Sequence, residues 1–275
     1  MGGWKRGGRS RAAALVAALA CGAIAIPAAL GGSVTPGQIN WGGYTALVAQ
    51  SQTFKSVTST FTIPQLDCSG TAGQQAGGTL LELWSGLDGA YPGAPVSVEQ
   101  VGVEPSCHLG AQVNPTAYAL QWVNKKGKIV HVVGQVVLNG TYDLATGDSV
   151  TATVSHSGTL VTVTLRDNST GSTGSVSATC PKKGCAYKSA EAIIEAPGPI
   201  ASFATVSFTA SSATDSLGHT GGLVTSGPWW NTEQLTLIGT DAHGNRFTPC
   251  ATPGPYDAAA GAFTMTGTGR CVTGS

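Results

Sequence analysis

From residue 40 onward, apolar and polar positions alternate with a period of two. In VTSTFTI (57–63), Val57, Ser59, Phe61 and Ile63 share one face. In VSVEQVGV (96–103), Val96, Val98, Gln100 and Gly102 share one face, and Ser97, Glu99, Val101 and Val103 the other. AYALQWV, HVVGQVVL, DSVTATV, TLVTVTL, FATVSFT and EQLTLIG repeat the pattern. Successive side chains of a strand point to opposite faces of a sheet, so each of these segments is a predicted strand. NKKG, NGT, ATGD, SHSG, DNSTGSTG, APGP, DAHGN and TPGP lie between them as turns. No segment carries a sustained helical stripe with caps, and no repeat of fixed period is present. Many short strands without a low-complexity linker predict one all-β domain, a β-sandwich, over 40–275.

The chain has 275 residues, of which 41% are hydrophobic and 10% charged. That is enough apolar material for a sizeable core. A formal net charge of +0 leaves no field to draw nucleic acid or acidic lipid, so neither is an expected partner. The first thirty residues stand apart. MGGWKRGGRSR carries Lys5, Arg6, Arg9 and Arg11, and AAALVAALACGAIAIPAAL follows as an apolar run broken by Gly22 and Pro27. A charged start, an apolar run and small residues at its end predict a secretory signal over residues 1–30, not a membrane helix. A short extension over 31–39 precedes the domain. The expected location is extracellular, with no stable membrane insertion once the signal is removed.

Cysteine usage agrees with export. Without Cys21, six remain: Cys68, Cys107, Cys180, Cys185, Cys250 and Cys271. An even number in an exported chain predicts disulfides. Proximity pairs Cys180 with Cys185 and Cys250 with Cys271, which leaves Cys68 with Cys107. CPKKGC has no second cysteine pair near it, so zinc is not expected there. No cluster of ligating residues at metal spacing occurs elsewhere, and neither metal nor cofactor is expected.

The usual hydrolase signatures are missing. The sequence holds no G-x-S-x-G, no H-E-x-x-H, no P-loop, and no D-T-G or D-S-G. What remains is a few carboxylates and one amide in strand-like segments: Asp88 in WSGLDG, Gln100 and Glu104 in VEQVGVE, and Glu191 and Glu195 in AEAIIEAP. Each has a plain alternative. Asp88 precedes a glycine, as turn residues do. Gln100 fits a hydrogen-bonded core amide, and Glu104 a solvated strand end. Glu191 and Glu195 share a face with Ile193 between them. On an exposed face they are solvated charges; on a buried face each must be hydrogen-bonded or perturbed. Paired-carboxylate glycoside hydrolysis is disfavoured. Two residues four apart on a strand stand about 13 Å apart, beyond the roughly 5–9.5 Å such enzymes use.

Taken together, the motifs resemble the glutamic peptidases (eqolisins). NWGGY at 40–44, WSGLDG at 84–89, VEQVGVE at 98–104, AEAIIEAP at 190–197 and PIASFATVSFT at 199–209 match family segments in order and spacing. The resemblance implies a lectin-like sandwich of two curved, seven-stranded antiparallel sheets with the active site on the concave face. It implies an endopeptidase working in acid on polypeptide substrates, without cofactor, and a monomer is the expectation. It assigns Gln100 and Glu195 as catalytic, on neighbouring strands and facing one water. Trp84, Asp88, Glu104, Gln121 and Trp122 become supporting or substrate-binding positions. A glutamate can take the water's proton and pass it on, and a glutamine amide can donate to the developing oxyanion. There are departures. Ala192 replaces an aromatic and is expected to remove a wall of the cleft, LQWVN replaces an aromatic-rich strand, and only the short stretch 31–39 separates the expected signal from NWGGY. The competing reading is a lectin-like binding module with Trp84, Trp122, Trp229 and Trp230 as stacking platforms, GPWWN (227–231) being an exposed loop.

Overall fold

The alternation is realised as strands throughout. The computed structural model describes residues 40–49, 51–69, 79–90, 97–123, 129–135, 144–180, 184–196, 200–225, 227–238 and 249–268. For 79, 120–123 and 129–135 the description is of backbone alone. In chain order the strands are β1 (Trp41–Val48), β2 (Phe54–Thr62), β3 (Leu66–Asp67), β4 (Thr79–Leu80), β5 (Glu82–Leu87) and β6 (Val98–His108). Next come β7 (Ala111–Val123), β8 (Ile129–Gln135), β9 (Ser149–Ser157), β10 (Leu160–Asp167), β11 (Thr173–Thr179) and β12 (Ser189–Glu195). The last six are β13 (Ser202–Phe203), β14 (Thr205–Asp215), β15 (Thr220–Gly222), β16 (Trp230–Leu235), β17 (Ala251–Pro253) and β18 (Phe263–Gly267). Among the described residues there is no α-helix.

Two antiparallel sheets form the sandwich. The first runs β16-β1-β12-β5-β6-β7-β8, with β4 paired to β6. The second runs β11-β10-β9-β2-β14-β18-β17, with β15 paired to β14. Each path has seven strands, as the resemblance implied, and one short strand beside it. A small β3–β13 pair stands apart.

The second sheet follows the sequence pattern closely. Val57, Ser59 and Phe61 of β2, Val150, Ala152 and Val154 of β9, and Val161, Val163 and Leu165 of β10 are all buried between the sheets. The alternate residues make a hydroxyl ladder on the outer face. Thr58 bonds Thr153 at 3.0 Å, Thr60 bonds Thr151 at 2.7 Å, and Thr162 bonds Ser177 at 2.8 Å. Cross-strand threonine and serine pairs stabilise such a face by roughly 0.2–1 kcal/mol each. This is where much of the Ser and Thr content goes.

The first sheet is different at its centre. Every residue of β5 and of β12 is buried. One face packs on the second sheet through Leu83, Leu87, Ala190, Ala192 and Ile194. The outer face is covered by its own large side chains: Trp41, Trp84, Ile193 and Leu235 form a second apolar cluster, with Val98 and Tyr118 packed against it. That cluster sets the floor on which the candidate site stands.

The Cys68–Cys107 and Cys180–Cys185 disulfides are both present. Cys250 is disulfide-bonded as well; its expected partner, Cys271, lies outside the described residues. So do the predicted signal and extension over 1–39.

Candidate active site

Strand parity puts Ser189, Glu191, Ile193 and Glu195 of β12 on the outer face of the first sheet. Ala190, Ala192 and Ile194 point into the inter-sheet core. Ala192 therefore packs between the sheets and removes no wall from a cleft, contrary to the sequence expectation. Antiparallel pairing sets Glu195 directly between Trp41 of β1 and Glu82 of β5. Glu195 keeps 9% of its surface exposed and Glu82 keeps 8%, so neither charge is well solvated.

N–H donors surround Glu195. Asn40 Nδ2 donates to Oε1 at 2.9 Å, and Trp84 Nε1 donates to Oε2 at 3.1 Å. Trp41 also hydrogen-bonds the carboxylate. These three bonds favour the ionised form, and burial opposes them. Burial wins and pushes the carboxyl up to about 7.

Gln100 lies on β6 and projects from the same face. It is not on a strand neighbouring Glu195, as the resemblance implied: β5 runs between β12 and β6. Two residues that the motifs do not mark link Gln100 toward Glu195 through hydrogen bonds. Gln100 Nε2 donates to the Tyr118 hydroxyl of β7 at 3.4 Å. Tyr118 in turn hydrogen-bonds Glu82, which stands opposite Glu195. Glu104 is the next β6 position beside Glu82, since the β5–β6 register runs Leu83↔Val103. Burial raises Glu104 to about 7, so it is not a solvated strand end. Three carboxylates thus cross three adjacent strands in one row.

The WSGLDG motif has a local physical account. Trp84 is fully buried and spends its one donor on Glu195. Its indole lies over Gly86, where an added Cβ would sit 2.7 Å from the ring atom Cζ3. Gly102, opposite on β6, clears the other side: a Cβ there would meet Leu83 O at 2.1 Å and Trp84 Cβ at 2.6 Å. Asp88 adopts a positive φ of 66°. It accepts from the backbone N–H groups of Ala186 (2.6 Å), Tyr187 (2.5 Å) and Lys188 (2.6 Å), and from Ser97 Oγ (3.2 Å). With no exposed surface, it fixes the lead-in to β12 through these bonds.

Glu191 is fully buried on the same face as Glu195, between Thr45 and Gly86. Ser189 offsets burial only in part, so burial holds its carboxyl well above the ordinary range. Burial there favours its neutral form. Glu99 takes the opposite parity and is likewise raised by burial, with Asp88 and Glu191 adding to the shift. Gln121 and Trp122 fall on β7, but their side chains lie outside the described residues. The stacking platforms of the binding-module reading are largely enclosed. Trp84 and Trp230 are buried, and Trp230 opens β16 instead of sitting in an exposed loop. Trp229, partly buried, stacks on His219.

Asn40, Trp41, Glu82 and Tyr118 are the site residues that sequence reasoning missed. Glu82 had a signal: in LELWSGL it is a charge in an apolar strand, two positions from Trp84 and so on its face. Asn40 and Trp41 were within the quoted NWGGY motif, without a role. Tyr118 had no signal beyond its parity.

Residues 39–250 match the peptidase A4 family. Among solved structures, scytalido-glutamic peptidase with a transition-state analogue inhibitor aligns with a TM-score of 0.60 at 19% identity, covering 84% of this chain and 99% of that one. SCP-B, a member of the eqolisin family in complex with the tripeptide Ala-Ile-His, aligns with a TM-score of 0.56 at 19% identity over the same shares. At that identity the structural likeness speaks for the fold. No curated protein matches the sequence. The family match spans the whole outer-face constellation from Asn40 through Glu195, and on it the chain belongs to the peptidase A4 family, the glutamic-type peptidases.

Proposed function

We propose that the protein is a secreted endopeptidase in which Glu195 and Gln100 act on one water. The observation that carries this reading is the environment of Glu195: a buried carboxylate held by three N–H donors on the face from which Gln100 also projects. Donors on both oxygens fix the carboxylate's orientation. Ionised Glu195 takes a proton from the attacking water and later hands it to the leaving amine. Gln100 has a second amide hydrogen besides the one given to Tyr118, and it is free to donate to the developing oxyanion. Trp84 and Trp41 keep bulk water from the carboxylate's inner side.

The base must be ionised to work, and burial lifts Glu195 to about 7. Turnover therefore rises with pH through that ionisation, and the working window lies in the weakly acid to neutral range, higher than an exposed glutamate would give. Export is supported by the Cys68–Cys107 and Cys180–Cys185 disulfides and by the signal-like start.

The test is digestion of a denatured protein across pH, with cleavage sites read by mass spectrometry. Glu195→Gln keeps the shape and removes the proton acceptor, so turnover is expected to fall by roughly 10²–10⁴-fold. Gln100→Ala removes the oxyanion donor, for which about 10²–10³-fold is expected. Folded Glu195→Gln protein that cleaves at the wild-type rate would remove Glu195 from the mechanism.

A further inference from the structure

Glu82 has no part in the dyad as described, yet the strand register sets it beside one member and hydrogen bonds link it to the other. It lies directly opposite Glu195 in the β5–β12 register. Directly opposed residues of an antiparallel pair have Cβ atoms about 4.5–5.5 Å apart. Its carboxyl hydrogen-bonds the Tyr118 hydroxyl, which accepts from Gln100 at 3.4 Å. The chain of groups Gln100–Tyr118–Glu82 thus ends against Glu195. We propose that Glu82 is a positioning residue of the peptidase site, a neutral acid that faces Glu195 and anchors Tyr118 against Gln100.

Two buried carboxylates face to face cannot both ionise at ordinary cost, so the pair keeps one proton. Which member keeps it follows from their partners. Glu195 has three N–H donors, all of which stabilise its negative charge. Glu82 has one hydroxyl partner, is deeply buried, and faces Glu195 on one side and Glu104 on the other. Among the described residues, the titratable groups turned toward it are Glu195 from β12, Glu104 from β6 and Tyr118 from β7. Asn40, Trp41 and Trp84 bond Glu195 on its side of the pair without titrating. Glu195 therefore ionises first. Burial, and then the Glu195 charge, hold Glu82 protonated well above the ordinary range. While Glu82 is neutral, Glu195 is a base beside an uncharged neighbour. Once Glu82 ionises, a second negative charge stands next to Glu195 and near the developing oxyanion, and the site closes. The pH–rate profile then has two owners: Glu195 sets the acid limb and Glu82 the alkaline limb.

This inference rests on the dyad reading, and the experiment separates the two. The pH profile of kcat/KM is measured for wild type, Glu82→Gln, Glu82→Leu and Glu195→Gln. Glutamine imitates the neutral acid and cannot ionise. Glu82→Gln is expected to leave the acid limb in place and move the alkaline limb up by about one pH unit or more, with kcat lower by roughly tenfold from the altered contact. Glu82→Leu, which also releases Tyr118, is expected to lose more kcat than Glu82→Gln at unchanged KM. Infrared difference titration of the carboxylic C=O band, wild type against Glu82→Gln, reads the same ionisation without turnover. A band lost in Glu82→Gln that titrates together with the alkaline limb supports the proposal. Coincident alkaline limbs in wild type and Glu82→Gln would overturn it, even with Glu195→Gln inactive. An active Glu195→Gln enzyme would instead overturn the dyad, and the infrared titration would still decide whether Glu82 and Glu195 share a proton.

Discussion

At the scale of single residues, the sequence motifs located the charges and not their environments. Glu195 and Asp88 were both marked, but a motif does not say that Asp88 spends itself on three backbone N–H groups. Asp88→Ala leaves those donors unpaired in the interior, at about 1–3 kcal/mol for each unsatisfied group. Urea unfolding is expected to show a loss of at least about 2 kcal/mol, with activity falling because the lead-in to β12 loosens. Wild-type stability in that variant would contradict the role. Glu191 tests the opposite case. Burial favours the neutral form of its carboxyl, so Glu191→Gln puts a neutral group of the same shape in its place. Its effect on turnover is expected to be far smaller than that of Glu195→Gln, although the two residues share a strand and a face. Glu82 escaped notice because a charge in a strand is read by default as solvated. Its neighbours Glu195, Glu104 and Tyr118 come from three other strands, and alternation along β5 alone carries no trace of them.

At the scale of elements, alternation was a good guide where one face of a sheet meets solvent. β2, β9 and β10 bury the face that the sequence indicated. β5 and β12 bury both faces, so parity gave the partition of their side chains but not their exposure. This is why Glu191 and Glu195 could be placed together and yet left open between solvated and perturbed. Strand order is non-local: β5 pairs with β12 across a hundred residues, and its position between the dyad strands had no local signature. The glycines of this region give a sharp expectation. Gly86→Ala would press a methyl into the Trp84 ring at 2.7 Å. Overpacking of this kind costs about 1–3 kcal/mol, and relief requires the indole to move off Glu195. Tryptophan fluorescence and kcat are expected to change together. Gly102→Ala meets backbone, not a movable ring, and is expected to be the more damaging of the two. Equal, negligible effects on stability and turnover would contradict this packing account.

At the scale of the molecule, the buried acids make stability depend on pH with a definite sign. Glu82, Glu99, Glu191 and Glu195 all have carboxyls raised above the ordinary 4.5 by burial. Between that unfolded value and the folded one, the native state holds more protons than the unfolded chain. Stability is then greatest below about 4.5 and is lost as pH rises, at about 1.4 kcal/mol per pH unit for each proton of difference. Asp215, lowered by its contacts with His219 and neighbouring backbone, acts in the opposite sense at still lower pH, where its protonation removes stability. The melting temperature is therefore expected to fall between pH 4.5 and pH 7, by several degrees for each ~1 kcal/mol lost. A melting temperature that climbs over that interval would contradict the burial of these groups. Stability and turnover would then run in opposite directions on approaching neutrality, so the useful range is narrower than either alone. Non-reducing peptide mapping complements this. It is expected to recover Cys68–Cys107 and Cys180–Cys185, and a Cys250 peptide joined to Cys271.

The central claim is that Glu195 and Gln100 act on one water, and a double-mutant cycle in kcat/KM on one defined peptide tests it most directly. Wild type, Glu195→Gln, Gln100→Ala and the double variant are compared at one pH, each verified as folded. Groups acting as a unit fail as a unit, so the double variant is expected to be about as slow as the slower single variant. A double variant slowed by the full product of the two single losses would show two independent contributions and contradict the account.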